Sequence, residues 1–158
     1  MTAGIALEID RQDFTRCRRV DLQLPSAPKE GEVLLGVDHF ALTSNNVTYC
    51  QVGDALGYWR FFPTGDERWG RVPAMGYADV VASAHPEIHV GERVWGFFPM
   101  SSHLLIEAGR VGEHGFSDVS AHREGLAPVY AQFQRAGANP IYEAGREAQD
   151  CLLRGLFM

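Results

Sequence analysis

Between residues 45 and 62 the chain reads NNVTYCQVGDALGYWRFF, and this stretch carries its most suggestive chemistry. Asn45, Asn46, Thr48 and Tyr49 supply hydrogen-bonding groups just ahead of an aromatic surface made by Tyr58, Trp59, Phe61 and Phe62. A tyrosine hydroxyl can donate a proton or hold a carbonyl oxygen, and an amide can do the second without changing charge. An apolar pocket with a few oriented polar groups is what a small-molecule site needs. The competing reading is that the rings are core or interface, where large aromatics also concentrate. Asp54 is the lone acid of the stretch, and Gly53 and Gly57 punctuate it.

Other residue types with chemical potential are less well arranged. His85 and His89 in HPEIH have four-residue spacing, but Pro86 and the following VGE make this a turn, not a helix face presenting two rings to one ion. His39, His103, His114 and His122 are scattered, and no zinc site is expected. GRVGEHG (109–115) reads as a glycine-rich turn, and the chain holds neither GxGxxG nor GxxxxGK[ST]. A dinucleotide cofactor therefore has no standard binding fold here. Ser101 and Ser102 lie beside His103 but lack a GxSxG elbow.

The bulk numbers narrow the class. A chain of 158 residues, 46% hydrophobic and 22% charged, is one globular domain with enough material for a core. A net charge of −6 argues against a general nucleic-acid binder, which needs a surplus of Lys and Arg. Arg11, Arg16, Arg18 and Arg19 cluster, but acids surround them, so a solvated strand edge is expected. Three cysteines far apart (Cys17, Cys50 and Cys151) fit a reducing cytoplasm better than a disulfide framework. The N-terminus carries acids where a signal peptide needs an apolar run, and no stretch reaches membrane-spanning length. A cytoplasmic protein without membrane or nucleic-acid partners is the expectation.

The elements that must position the 45–62 stretch are mostly strands. Residues 18–24, 32–42, 76–84, 93–99 and 102–109 read as strands, separated by turn clusters such as PSAPKEGE (25–32). In 32–42, Val33, Leu35, Val37 and His39 share one face. Strands at this spacing predict a small antiparallel barrel or sandwich. The later part of 117–137 is expected to be helical. Residues 139–158 predict an amphipathic helix capped by Asn139, with Pro140 in its first turn and Ala144, Ala148, Leu152 and Leu156 as its buried stripe. The sequence stops on the apolar run CLLRGLFM, so a continuation into a partner domain is expected.

Five segments in order then resemble one family. GEVLLGV (31–37), the turn TSNNV (43–47), PAMGYADVV (73–81), VGERVWG (90–96) and LLIEAGRV (104–111) are similar to the N-terminal GroES-like domain of medium-chain dehydrogenase/reductases. More narrowly, GDALGYWRFFP, WGRVPAMGYADVVAS and FFPMSSHL resemble a bacterial family of unknown function, a distant branch with longer members. The resemblance implies a mainly β fold, a GroES-like partly open barrel over 1–138 with C-terminal helices, 139–158 leading toward a nucleotide-binding domain. Zinc-dependent members carry Cys and GHE where this chain has Thr43-Ser44 and Met75-Gly76-Tyr77, so no catalytic zinc is implied. Zinc-free quinone and enoyl reductases steady the substrate carbonyl with a Tyr or Asn in that turn.

The likeness also implies an activity. The intact protein would be an NADPH-dependent reductase of a carbonyl or activated alkene, with Tyr49 and Asn46 catalytic. Asn45, Tyr58, Trp59, Phe62 and Phe98 would line the substrate cleft, with the long 54–72 loop as a lid-like insertion. The rival expectations are a non-catalytic ligand-binding module and a homodimer formed through exposed aromatics.

Overall fold

The computed structural model describes residues 3–155. Its strands are β1 (Ala3–Asp10), β2 (Cys17–Gln23), β3 (Glu32–Phe40), β4 (Trp69–Gly70), β5 (Pro73–Ser83), β6 (Arg93–Pro99), β7 (His103–Gly112), β8 (Gly115–Asp118) and β9 (Gln132–Arg135). Two α-helices accompany them, α1 (Ser44–Gln51) and α2 (Glu147–Gly155). Six strands pair antiparallel in the circular order β3-β5-β6-β9-β8-β7 and close a barrel. The expected mainly β barrel is therefore present, and it is closed rather than partly open. A separate three-stranded sheet, β2-β1-β4, lies outside it.

The barrel closes because alternate residues of each strand point inward. Val33, Leu35, Val80, Val94, Phe98, Ile106, Phe116 and Phe133 form one buried cluster inside it. Glycines let the wall curve. A Cβ on Gly76 would overlap the backbone oxygen of His39, and one on Gly96 would overlap the Phe133 ring. The 109–115 turn is the β7–β8 hairpin, with Arg110 at φ 50° and Gly115 at φ 156°. His85–Glu92 is also a turn, as expected.

Two sequence expectations need correction. Residues 117–137 are not a helix: 3₁₀ turns at Ala121–Arg123 and Pro128–Ala131 precede strand β9. The C-terminal helix begins at Glu147, not near Asn139, and Ala144, Ala148 and Leu152 are exposed. Leu156, the last member of that stripe, lies outside the described residues. The buried side chains of α2 are Glu147 and Cys151. Glu147 bonds Arg93 on β6 at 2.9 Å, and Asp150 accepts from the Tyr77 hydroxyl on β5. The helix docks on polar partners offered by the barrel wall, so its leucines remain in solvent.

Strand β1 is not among the predicted strands, and its burial runs against hydrophobicity: Ile5 and Leu7 are exposed while Glu8 and Asp10 are buried. Arg18 and Arg71 hold Glu8, and Arg68 holds Asp10 at 2.9 Å. Of the N-terminal arginines, Arg18 pairs with Glu8 inside the sheet and Arg11 with Asp54 outside it, while Arg16 and Arg19 are exposed.

Candidate functional site

Helix α1 follows the barrel strand β3 directly. Thr43 caps it: the Asn45 N–H donates to its hydroxyl, and its own N–H donates to the Asn46 side-chain oxygen at 2.5 Å. The Asn46 amide then donates to the Pro73 carbonyl on β5 at 2.8 Å. Asn46 is buried and its amide is spent on these two bonds, fixing α1 against the barrel. Asn45 is half-buried beside it. One turn on, Tyr49 projects onto the outer face of β6, edge-on to Phe97.

A left-handed turn at Gly57 (φ 72°) then starts the 3₁₀ segment Tyr58–Arg60. Tyr49, Tyr58, Phe61 and Phe62 converge with Phe97 of β6 in one buried cluster, with Tyr130 packed on its edge. Tyr49 and Tyr58 have ring centres 4.7 Å apart, Phe97 and Tyr130 4.5 Å. The Tyr58 and Tyr130 hydroxyls are 3.4 Å apart. Burial, then the neighbouring Tyr130, pushes the Tyr49 phenol above its ordinary value. The Tyr58 phenol is raised more strongly by burial and by its bond to Tyr130. Both are therefore hydroxyl donors throughout the physiological range.

The sequence-named residues divide among three places. Tyr49, Tyr58 and Phe62 come together as expected. Phe98 does not: it lies inside the barrel against Phe133, with ring centres 5.4 Å apart, and its neighbour Phe97 takes the place in the cluster. Trp59 also faces away, joining Cys50 and Val72. Its indole is slotted between Gly53 and Gly70, where any Cβ would overlap it. Most of these rings are core. Tyr58, Phe61 and Phe62 are 9%, 1% and 3% exposed, so the stretch is packed rather than open.

The open space lies next to the cluster. A cavity of about 390 Å³ is bounded by Phe61, the end of β8 and the 119–131 segment. On its wall, Arg123 and Asp118 form a buried ion pair at 2.8 Å, and the guanidinium rests 5.1 and 4.8 Å from the Phe61 and Phe62 ring centres. Sequence reasoning missed Asp118, Arg123 and Tyr130, all inside 117–137, of which only the later part is expected to be helical. The signal available was Arg123 five residues after Asp118 in a Gly- and Pro-bearing loop, too common a pattern to single out.

A second opening is apolar. Leu7, Phe14, Leu42 and Val47 are exposed around a groove of about 290 Å³ floored by Cys50 and Val72. Among the described residues no group of three His, Cys, Asp or Glu side chains could hold a metal ion. No helix among them is long and apolar enough to cross a membrane.

A family described as "Protein of unknown function (DUF2855)" matches residues 40–158, well over half the chain and all of α1, the aromatic cluster and the cavity. The chain belongs to that family. No curated protein matches it.

Proposed function

We propose that the chain is the substrate-side barrel of a cytoplasmic, zinc-independent NADPH-dependent oxidoreductase of the medium-chain dehydrogenase/reductase type. It acts on a carbonyl or an activated alkene. The observation that carries this reading is the gathering of the Tyr49, Tyr58 and Tyr130 side chains in one aromatic cluster, with Tyr130 at its edge. Tyr49 and Tyr58 stay protonated, and hydroxyl donors in an apolar surround are suited to a developing oxyanion. The segments that resemble the GroES-like domain fall in order on β3, α1, β5, β6 and β7, which supports the same reading.

Among the described residues no strand, glycine-rich turn and helix unit could hold a dinucleotide, and the 109–115 turn is a hairpin. NADPH does not fit this chain by itself and would be held by a further domain, where it supplies hydride. The contribution of these residues is to bind and orient. Tyr49 is the oxyanion donor, Asn46 positions it through the α1 cap, and Tyr58 and Phe62 form the apolar wall.

The test is the complete gene product assayed for NADPH oxidation with quinones, enones and aldehydes. Tyr49→Phe is expected to lower kcat/KM by about 100-fold. Full activity in that variant removes Tyr49 from the mechanism, and no oxidation with any acceptor removes the reductase reading.

One observation favours a second reading, a non-catalytic self-associating module. The apolar groove at Leu7, Phe14, Leu42 and Val47 suits a homodimer contact better than water. Concentration-dependent sedimentation abolished by Leu42→Lys, without NADPH-linked turnover, would select it.

A further inference from the structure

Arg123 has more hydrogen-bonding capacity than the protein uses. Its side chain is 4% exposed and its Nε donates to Asp118 Oδ2 at 2.8 Å, yet both terminal nitrogens lack a partner among the described residues. Asp118 cannot supply more, because its other oxygen already accepts from the Ser120 N–H and hydroxyl. A guanidinium is a planar fork matched to two oxygens at once, and here only one side of the fork is engaged. A buried cation with unmade hydrogen bonds is destabilising in the free protein. Such a group persists where something else completes it.

The space beside it fits a ligand. The cavity is lined by Phe61, Arg110, Ser117, Ser120 and Arg123 among others, and the unpaired terminal nitrogens of Arg123 are shielded from solvent. Arg110 is the only non-glycine residue with positive φ among those described, a backbone cost tolerated most often near binding sites. The volume of about 390 Å³ suits a small molecule.

We propose that this cavity binds a small carboxylate whose oxygens engage the free nitrogens of Arg123 while its apolar body rests against Phe61. A carboxylate is favoured over a phosphate because the site also contains Asp118 and Glu124, which oppose a second negative charge. This site stands independently of the reductase reading, since it requires neither NADPH nor Tyr49.

The experiment is titration of the full chain with benzoate and acetate, against inorganic phosphate and chloride at matched ionic strength. The readouts are melting temperature and the arginine side-chain NMR signals. The expected result is a saturable shift of the Arg123 signals and a rise in melting temperature, stronger for benzoate than acetate and absent with chloride. Arg123→Lys keeps the charge, loses the fork and should bind at least about tenfold more weakly. Arg123→Met combined with Asp118→Asn removes the ion pair without leaving a buried charge, and should abolish saturation. A wild-type response that is linear and matched by chloride overturns the proposal. So does undiminished binding in either variant, and saturation by phosphate alone overturns the choice of carboxylate.

Discussion

Strand β6 has one wall facing the barrel interior and one facing outward, and the two are packed by different chemistries. Inward, Val94 and Phe98 pack in a cluster of apolar side chains with Val80, Ile106 and Phe133. Outward, Phe97 meets three tyrosines, Arg93 meets Glu147, and Arg154 lies 4.7 Å from the Trp95 ring centre. The interior needs only shape and volume. The exterior must satisfy hydroxyls and charges while excluding water, so its residues are held by named partners and their disturbance stays local. The candidate site lies on the outer wall, where polar groups are buried next to open space.

The most severe way to break this contrast is inside. Phe98→Ala should cost about 3–5 kcal/mol and lower the urea midpoint of the whole domain, because the cavity cannot be refilled by a closed wall. A loss below about 1 kcal/mol would mean that the interior is less tightly packed than its burial indicates. Outside, Gly53→Ala drives a methyl into the Trp59 indole and should cost about 1–3 kcal/mol. Its signature is a shifted tryptophan emission with the Phe98 environment unchanged. A global collapse with that variant would show that the outer layer and the barrel form one cooperative unit.

The smallest effect is electrostatic and depends on pH. Glu147 is held down at about 2 by the Tyr142 hydroxyl, backbone N–H groups and Arg93, against an ordinary value of 4.5. A lowered carboxyl stabilises the fold fully above its unfolded value and progressively less as pH falls from about 4.5 towards 2. Glu147→Gln should flatten that part of the acid stability profile, read as melting temperature against pH. An unchanged slope would place the seam between α2 and β6 outside the cooperative fold.

Some of the candidate site was legible in the order of the residues. Asn45, Asn46, Thr48 and Tyr49 could be singled out because polar groups ahead of a dense aromatic run are unusual, and Tyr49 does meet Tyr58 and Phe62. Phe98 was misplaced by one residue for a physical reason. RVWGFFP is buried on both faces from Val94 to Pro99, and a continuous apolar run carries no alternation from which to read its phase. The α2 stripe failed differently. Periodicity assigns Leu152 to the core, yet it is 61% exposed, because Tyr77 and Arg93 offer Asp150 and Glu147 better partners than solvent does.

A mainly β chain was readable from residue order alone, with β3 and β6 within a residue or two of their ends and turns at 85–92 and 109–115. These follow from local rules, since alternation, glycine and proline act over a few residues. Long-range packing set which acids are buried, which of two adjacent phenylalanines faces the tyrosines, and that Arg123 lines a cavity with two nitrogens unpaired. Those outcomes depend on partners distant in sequence, Glu8 on Arg71 and Tyr58 on Tyr130, and the energy of a buried polar group is set by what it meets.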